Sequence, residues 1–148
     1  MRRLAISLLV LAAVTPAVAQ VRTGDLTIKD PVIRAVAPGV PNTAGYFTIV
    51  NASAKPDKLL SAACACAKSV EVHLSHVMDG MAMMMPSASV EVPAGGQVTF
   101  APGGYHLMVT GLKASLSDGG VQTLTLKFQH AGTVMVPFQV KAKIAAAH

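Results

Sequence analysis

Beyond residue 20, apolar and polar residues alternate in short runs broken by Gly, Pro, Asn and Asp, and no stretch of a dozen residues keeps a 3.6-residue apolar period. The pattern predicts strands over 26–36, 44–51, 58–62, 69–76, 81–85, 89–92, 97–101, 106–110, 121–129 and 133–141. Turn signals separate them: Pro38-Gly39, Pro41-Asn42, Asp79-Gly80, Pro93-Ala94-Gly95-Gly96, Pro102-Gly103-Gly104, Asp118-Gly119-Gly120 and His130-Ala131-Gly132. Ten short runs at this spacing predict an all-β fold, a two-sheet sandwich or barrel. No internal repeat or linker interrupts them, so a single domain is expected over 20–148, with an Ala-rich, frayed tail over 142–148.

The first nineteen residues read differently. Met1-Arg2-Arg3 is a short basic start, 4–14 is an apolar run too short to span a bilayer, and Thr15-Pro16 breaks it. Ala17-Val18-Ala19 then supplies small residues where a signal peptidase cuts, so 1–19 is expected to be a signal peptide and Gln20 the first mature residue. The expected location is the periplasm. No Cys follows the apolar run to take a lipid anchor. No later segment approaches the roughly 18–20 apolar residues of a spanning helix, so no membrane span is expected in the mature chain.

Composition narrows the function classes. Of twelve Lys and Arg, Arg2 and Arg3 belong to the leader, which leaves only a small excess over the seven Asp and Glu. With four Phe, two Tyr and no Trp, the basic stripe and stacking platforms of a nucleic-acid binder are missing. The acids are scattered, no G-x-S-x-G occurs, and an enzyme is not expected. Methionine is the anomaly, with eight in the chain and five of them between Met78 and Met85. In an oxidising compartment a metal site is safer built from thioether and imidazole than from free thiolate.

His106-Leu107-Met108 follows the Gly103-Gly104 turn, and in a strand residues i and i+2 share a face, so an imidazole and a thioether stand side by side. Upstream, His73 closes Ser69-Val70-Glu71-Val72. Met84 follows after ten residues containing Asp79-Gly80, so that a hairpin would fold it back beside His73. Soft thioethers with imidazoles select Cu(I), whereas Zn(II) favours thiolate and carboxylate and Ca or Mg favours oxygen. The expected metal ligands are His73, Met84, His106 and Met108.

The interval His-x10-Met-x21-His-x-Met resembles the hallmark of the periplasmic copper chaperone family built on the PCu(A)C domain. Flanking words are similar too: 44–51 (AGYFTIVN), Val70-Glu71-Val72-His73, and 102–108 (PGGYHLM) with Gly111-Leu112-Lys113. The resemblance covers nearly the whole mature chain. It implies a cupredoxin-like Greek-key β-sandwich that binds Cu(I); separately, a monomer is expected. It also implies delivery to the dinuclear copper centre of cytochrome c oxidase, with subunit II or a Sco-type assembly protein as partner. Only the family interval selects Met84 over Met83 and Met85, which alternation puts on the opposite face.

Other residues keep plainer readings. Met78, Met81, Met83 and Met85 are expected to pack in the core or around the site. His76 is either an auxiliary ligand at the site mouth or a solvent-facing His, and His130 sits in a turn. Cys64 and Cys66 could bind copper, exchange it, or form a disulfide, the last requiring a local bend because i and i+2 are too far apart in an extended strand. A blue-copper electron carrier is the rival of the same fold, but it needs a Cys thiolate near His106 and both Cys precede every His. A copper-sequestering protein is not separable from a delivery chaperone by sequence.

Overall fold

The computed structural model describes residues 20–144; the leader expected over 1–19 and the end of the tail lie outside the described residues. Among the described residues eleven strands make up the fold: β1 (Gln20–Thr23), β2 (Leu26–Arg34), β3 (Asn42–Asn51), β4 (Asp57–Cys64), β5 (Ala67–Met78), β6 (Met81–Pro86), β7 (Val90–Val92), β8 (Gln97–Phe100), β9 (Tyr105–Leu112), β10 (Val121–Phe128) and β11 (Gly132–Lys141). Each predicted run is a strand, with ends displaced by a few residues. The addition is β1, too short and polar to show an alternation, which folds back on β2 through Gly24-Asp25.

Hydrogen bonding links the strands in the order β6-β5-β9-β8-β3-β2-β11-β10-β4-β7. β9 also pairs directly with β3, and β4 meets β5 at Ala62 opposite Val70, so the sheet folds over and closes on itself. The pairings β5–β9, β9–β3 and β10–β4 join strands distant in sequence, the crossovers of a Greek-key sandwich. The expected all-β sandwich is therefore the fold found. Asp30, at a φ of 51° beside Pro31, marks a bulge where the β2–β3 register slips between Lys29 and Val32.

Strand alternation fills the interior. On β11 the inward positions Val134, Val136, Phe138 and Val140 are buried while Met135 between them faces solvent. Phe47 stacks on Phe100 with ring centroids 4.4 Å apart and meets Phe138 edge-on at 5.6 Å, so β3, β8 and β11 share one aromatic centre.

One buried carboxylate ties the sheet ends together. Asp57 Oδ1 accepts hydrogen bonds from the amides of Lys58 (2.7 Å) and His130 (2.9 Å), and Oδ2 accepts one from Ala131 (3.0 Å). It thereby clips the start of β4 to the β10–β11 turn. Burial alone would raise its pKa, but the amides of His130, Lys58 and Ala131 and the nearby His130 imidazole outweigh it and hold the carboxyl below its ordinary value. A depressed carboxyl pKa stabilises the fold at pH above the unfolded value of about 3.9, and the contribution is lost as pH falls through the lower folded value. Asp57→Asn is expected to lower stability by about 1–3 kcal/mol at neutral pH. Urea denaturation checks this: the gap to the unsubstituted protein should shrink in acid, and a gap independent of pH would contradict the charge-based account.

Candidate metal centre

The register of β5 against β9 builds the centre. Val70 lies opposite Val109, Val72 opposite Leu107, and His73 opposite His106. The valines and Leu107 point into the core, so the alternate positions Glu71, His73, His106 and Met108 share the outer face. His73 and His106 form one rung, and Glu71 and Met108 form the next. The imidazole centroids are 5.8 Å apart, and Ala44 of β3 lies opposite Met108, where a small side chain leaves the thioether room.

Each imidazole is held by one nitrogen and offers the other. The carbonyl of Gly104 can only accept, so His106 Nδ1–H donates to it at 3.2 Å; the same carbonyl accepts the Ser75 amide at 3.1 Å. The Gly103-Gly104 turn, with Gly103 at a φ of 87°, thus aims a carbonyl at both β5 and the imidazole. His73 Nε2 is 3.0 Å from Glu71 Oε2 and donates to that carboxylate. What remains is His106 Nε2 and His73 Nδ1, both buried and both without a hydrogen-bond partner. Buried polar atoms are nearly always satisfied, so a pair of orphaned imidazole nitrogens on one rung calls for a ligand. A metal ion that binds neutral imidazole fits, because in each ring the other N–H is fixed by an acceptor.

The thioethers stand differently. Met108 is half-buried one rung from the imidazoles. Met84 lies on the same face, but it is opposite Ser75; the residue directly opposite His73 is Pro86. The cause is the turn: Asp79 and Gly80 both have positive φ (52° and 76°), a two-residue hairpin turn that sets Met78 opposite Met81 and fixes every rung behind it. Met84 is therefore diagonal to His73, within reach of a long flexible side chain, and is 61% exposed. Alternation does put Met83 and Met85 on the other face, opposite His76 and Leu74.

One expectation changes. Met78, Met81, Met83 and Met85 are not core packing; all are exposed, because β6 is an edge strand and Met78 ends β5 beyond its pairing with β9. His76 points away from His73 and does not enter this centre. Glu71, unassigned from sequence, orients His73; its i−2 position in the same strand was the available signal. His130 stays apart, its backbone amide held by Asp57.

Cys64 ends β4, Cys66 precedes β5, and the turn between them brings their Cα atoms to 5.0 Å in a disulfide. The local bend that such a bridge needs is this turn. No free cysteine exists among the described residues. Protein denatured without reductant should accordingly show no titratable thiol, and reduction should release two. Cys64→Ser with Cys66→Ser should lower stability without changing metal stoichiometry, and loss of a bound metal ion in that variant would contradict a purely structural bridge.

Comparison with known proteins places this geometry among relatives. The family described as LpqE-like lipoprotein matches residues 26–140. A protein of Leifsonia xyli subsp. xyli (strain CTCB07), named as a lipoprotein, Lxx21020, is 32% identical over 106 residues, which cover 71% of this chain and 64% of that protein. The chain thus spans somewhat under two thirds of that relative's length. Among solved structures, the copper-bound PCuAC domain from PmoF2 is 26% identical, with a TM-score of 0.73 over 84% of this chain and 99% of that one. Apo-DR1885 from Deinococcus radiodurans is 30% identical, with a TM-score of 0.65 over 99% of each chain. The Cu(I) form of DR1885 is 31% identical, with a TM-score of 0.60 over 90% of this chain and 83% of that one.

Proposed function

Because this chain belongs to the LpqE-like family and has the PCuAC fold, we propose that it is an exported copper chaperone that carries Cu(I) on the outer face of β5, β6 and β9. The observation that carries the reading is the pair of buried, unpartnered nitrogens, His73 Nδ1 and His106 Nε2, on one rung beside Met108. With Met84 swinging in from the edge strand, they supply two nitrogens and two thioether sulfurs, a soft neutral set suited to Cu(I). Glu71 and the Gly104 carbonyl hold the imidazoles in the tautomers that leave those nitrogens free.

The same set explains release. Neutral ligands leave the ion its single positive charge, and no thiolate locks it in place. A thioether on an exposed edge strand can be replaced by an acceptor's ligand without opening the core. Transfer is then ligand exchange of Cu(I) with no change of oxidation state. The acceptor in this reading is the dinuclear copper centre of cytochrome c oxidase, reached directly or through a Sco-type protein, and the leader over 1–19 directs the chain to the periplasm. Neither cysteine is lipid-bearing, since each is bonded to the other.

Two other readings fare worse. A blue-copper carrier lacks its thiolate, because Cys64 and Cys66 are joined to each other. Catalysis is the weaker reading, since Glu71, the carboxylate beside the imidazoles, is already engaged with His73. A sequestering role shares the site and differs only in whether the copper is passed on, so transfer to the oxidase copper domain is the discriminating measurement.

X-ray absorption of the Cu(I) protein is expected to show both sulfur and nitrogen neighbours. Met84→Leu should weaken Cu(I) binding clearly and Met83→Leu should leave this site intact; the reverse result would place the wrong face of β6 at the centre. Glu71→Ala should cost about 10-fold in affinity, as loss of a partner orienting a ligand imidazole does.

A further inference from the structure

The β5–β6 hairpin has a second face. Its rungs there are Leu74 with Met85, His76 with Met83, and Met78 with Met81, while Ser75 and Met84 stand on the face of His73. β9 accompanies β5 only as far as Leu74, opposite Tyr105. The two outer rungs therefore project beyond the sheet, with solvent on both sides. Met83, Met78 and Met81 are 43%, 54% and 69% exposed, and His76 is half-buried.

Hydrophobic packing does not account for this. An exposed edge strand is ordinarily protected from pairing with other chains by Lys, Pro, a bulge or short length. β6 is short and ends in Pro86, but its remaining five residues are four methionines and an alanine, with no charge. An imidazole directly opposite a thioether, with two more thioethers on the neighbouring rung, repeats the donor chemistry of the main centre.

We propose that His76, Met83, Met78 and Met81 form a second Cu(I) site, on the hairpin face opposite Met84. Directly opposed residues place their Cβ atoms about 5 Å apart and the next rung on that face lies about 7 Å away, distances that flexible thioether chains close around one ion. One imidazole nitrogen with two or three sulfurs is a soft, neutral set for Cu(I), and unsuited to Zn(II), Ca or Mg. The Asp79-Gly80 turn fixes the outer rung, so the four residues share one face of the hairpin before the metal arrives. Because the thioethers are exposed, this site binds more weakly and exchanges faster than the main one. Copper enters and leaves it as Cu(I) by ligand exchange, with no electron transferred. The inference does not depend on the main centre, since the two donor sets share no residue.

The test is an anaerobic titration of the whole mature protein with Cu(I) in acetonitrile. Ascorbate is the reductant, and the ε-methyl carbons of all methionines are followed by NMR. The first equivalent is expected to shift Met84 and Met108, and the second to shift Met78, Met81 and Met83. In His106→Ala, with the main centre disabled, the three hairpin methyls should still shift. In His76→Ala, and separately in the isosteric Met83→Leu, the second step should weaken by at least about 10-fold while the first is unchanged. The proposal is overturned if the second equivalent leaves those three methyls unmoved, if their shifts survive both variants undiminished, or if they shift together with Met84 in one step. Failure of the main-centre reading looks different: Met84 and Met108 stay unmoved while the hairpin still responds.

Discussion

The antiparallel register of β5 against β9 is the constraint on which the rest turns. Those two strands come from distant parts of the sequence, and only when Val72 meets Leu107 in the core does His73 meet His106 outside it. A slip of one residue would turn the imidazoles into the apolar core and the valines out of it, so the apolar interior fixes which face carries the imidazoles. The site thus depends on core packing: buried Val70, Val72, Leu107 and Val109 hold the alternate positions of β5 and β9 in place from the opposite face.

Much of this was legible from residue spacing. His106 and Met108 at i and i+2 had to share a face, and period-two alternation located the ten main strands and the separation of Met84 from Met83 and Met85. The pairing of β5 with β9 was not legible from composition, because nothing local says which strands become neighbours; the interval of the PCu(A)C family supplied that link. Hydrogen bonding was also beyond the sequence. Glu71 was visible only as part of a strand, and the Gly104 carbonyl only as part of a turn, yet these two acceptors decide which nitrogen of each imidazole is free.

The methionine cluster departs from the core packing that its residue type suggests, for an instructive reason. Methionine usually fills cores, and a run of it beside a predicted site suggested packing. Burial, however, belongs to position in the sheet rather than to residue type. β6 lies at the end of the hydrogen-bonded order, an edge strand, and its methionines stay in solvent whatever their hydrophobicity. The cysteines show the complementary case. Two residues apart in a strand they could not join, and the β4–β5 turn, invisible in a run of Ala and Cys, brings them together.

An edge strand suits cargo that must be both held and surrendered. The imidazoles sit on the paired strands β5 and β9, where hydrogen bonds on both sides and the core beneath keep them fixed. Met84 sits on β6, bonded along one edge only and exposed. In the proposed chaperone the imidazoles are the fixed donors and Met84 the exposed one, so the coordination position that opens for ligand exchange is the thioether's. The residue directly opposite His73 is Pro86 rather than Met84. The Asp79-Gly80 turn, by setting Pro86 there instead, keeps the thioether diagonal and reachable from solvent. Since strand geometry sends neighbouring residues to opposite faces, the same turn that frees Met84 also gathers His76 and Met83 on the reverse side, so one two-residue turn sets the geometry of both donor groups.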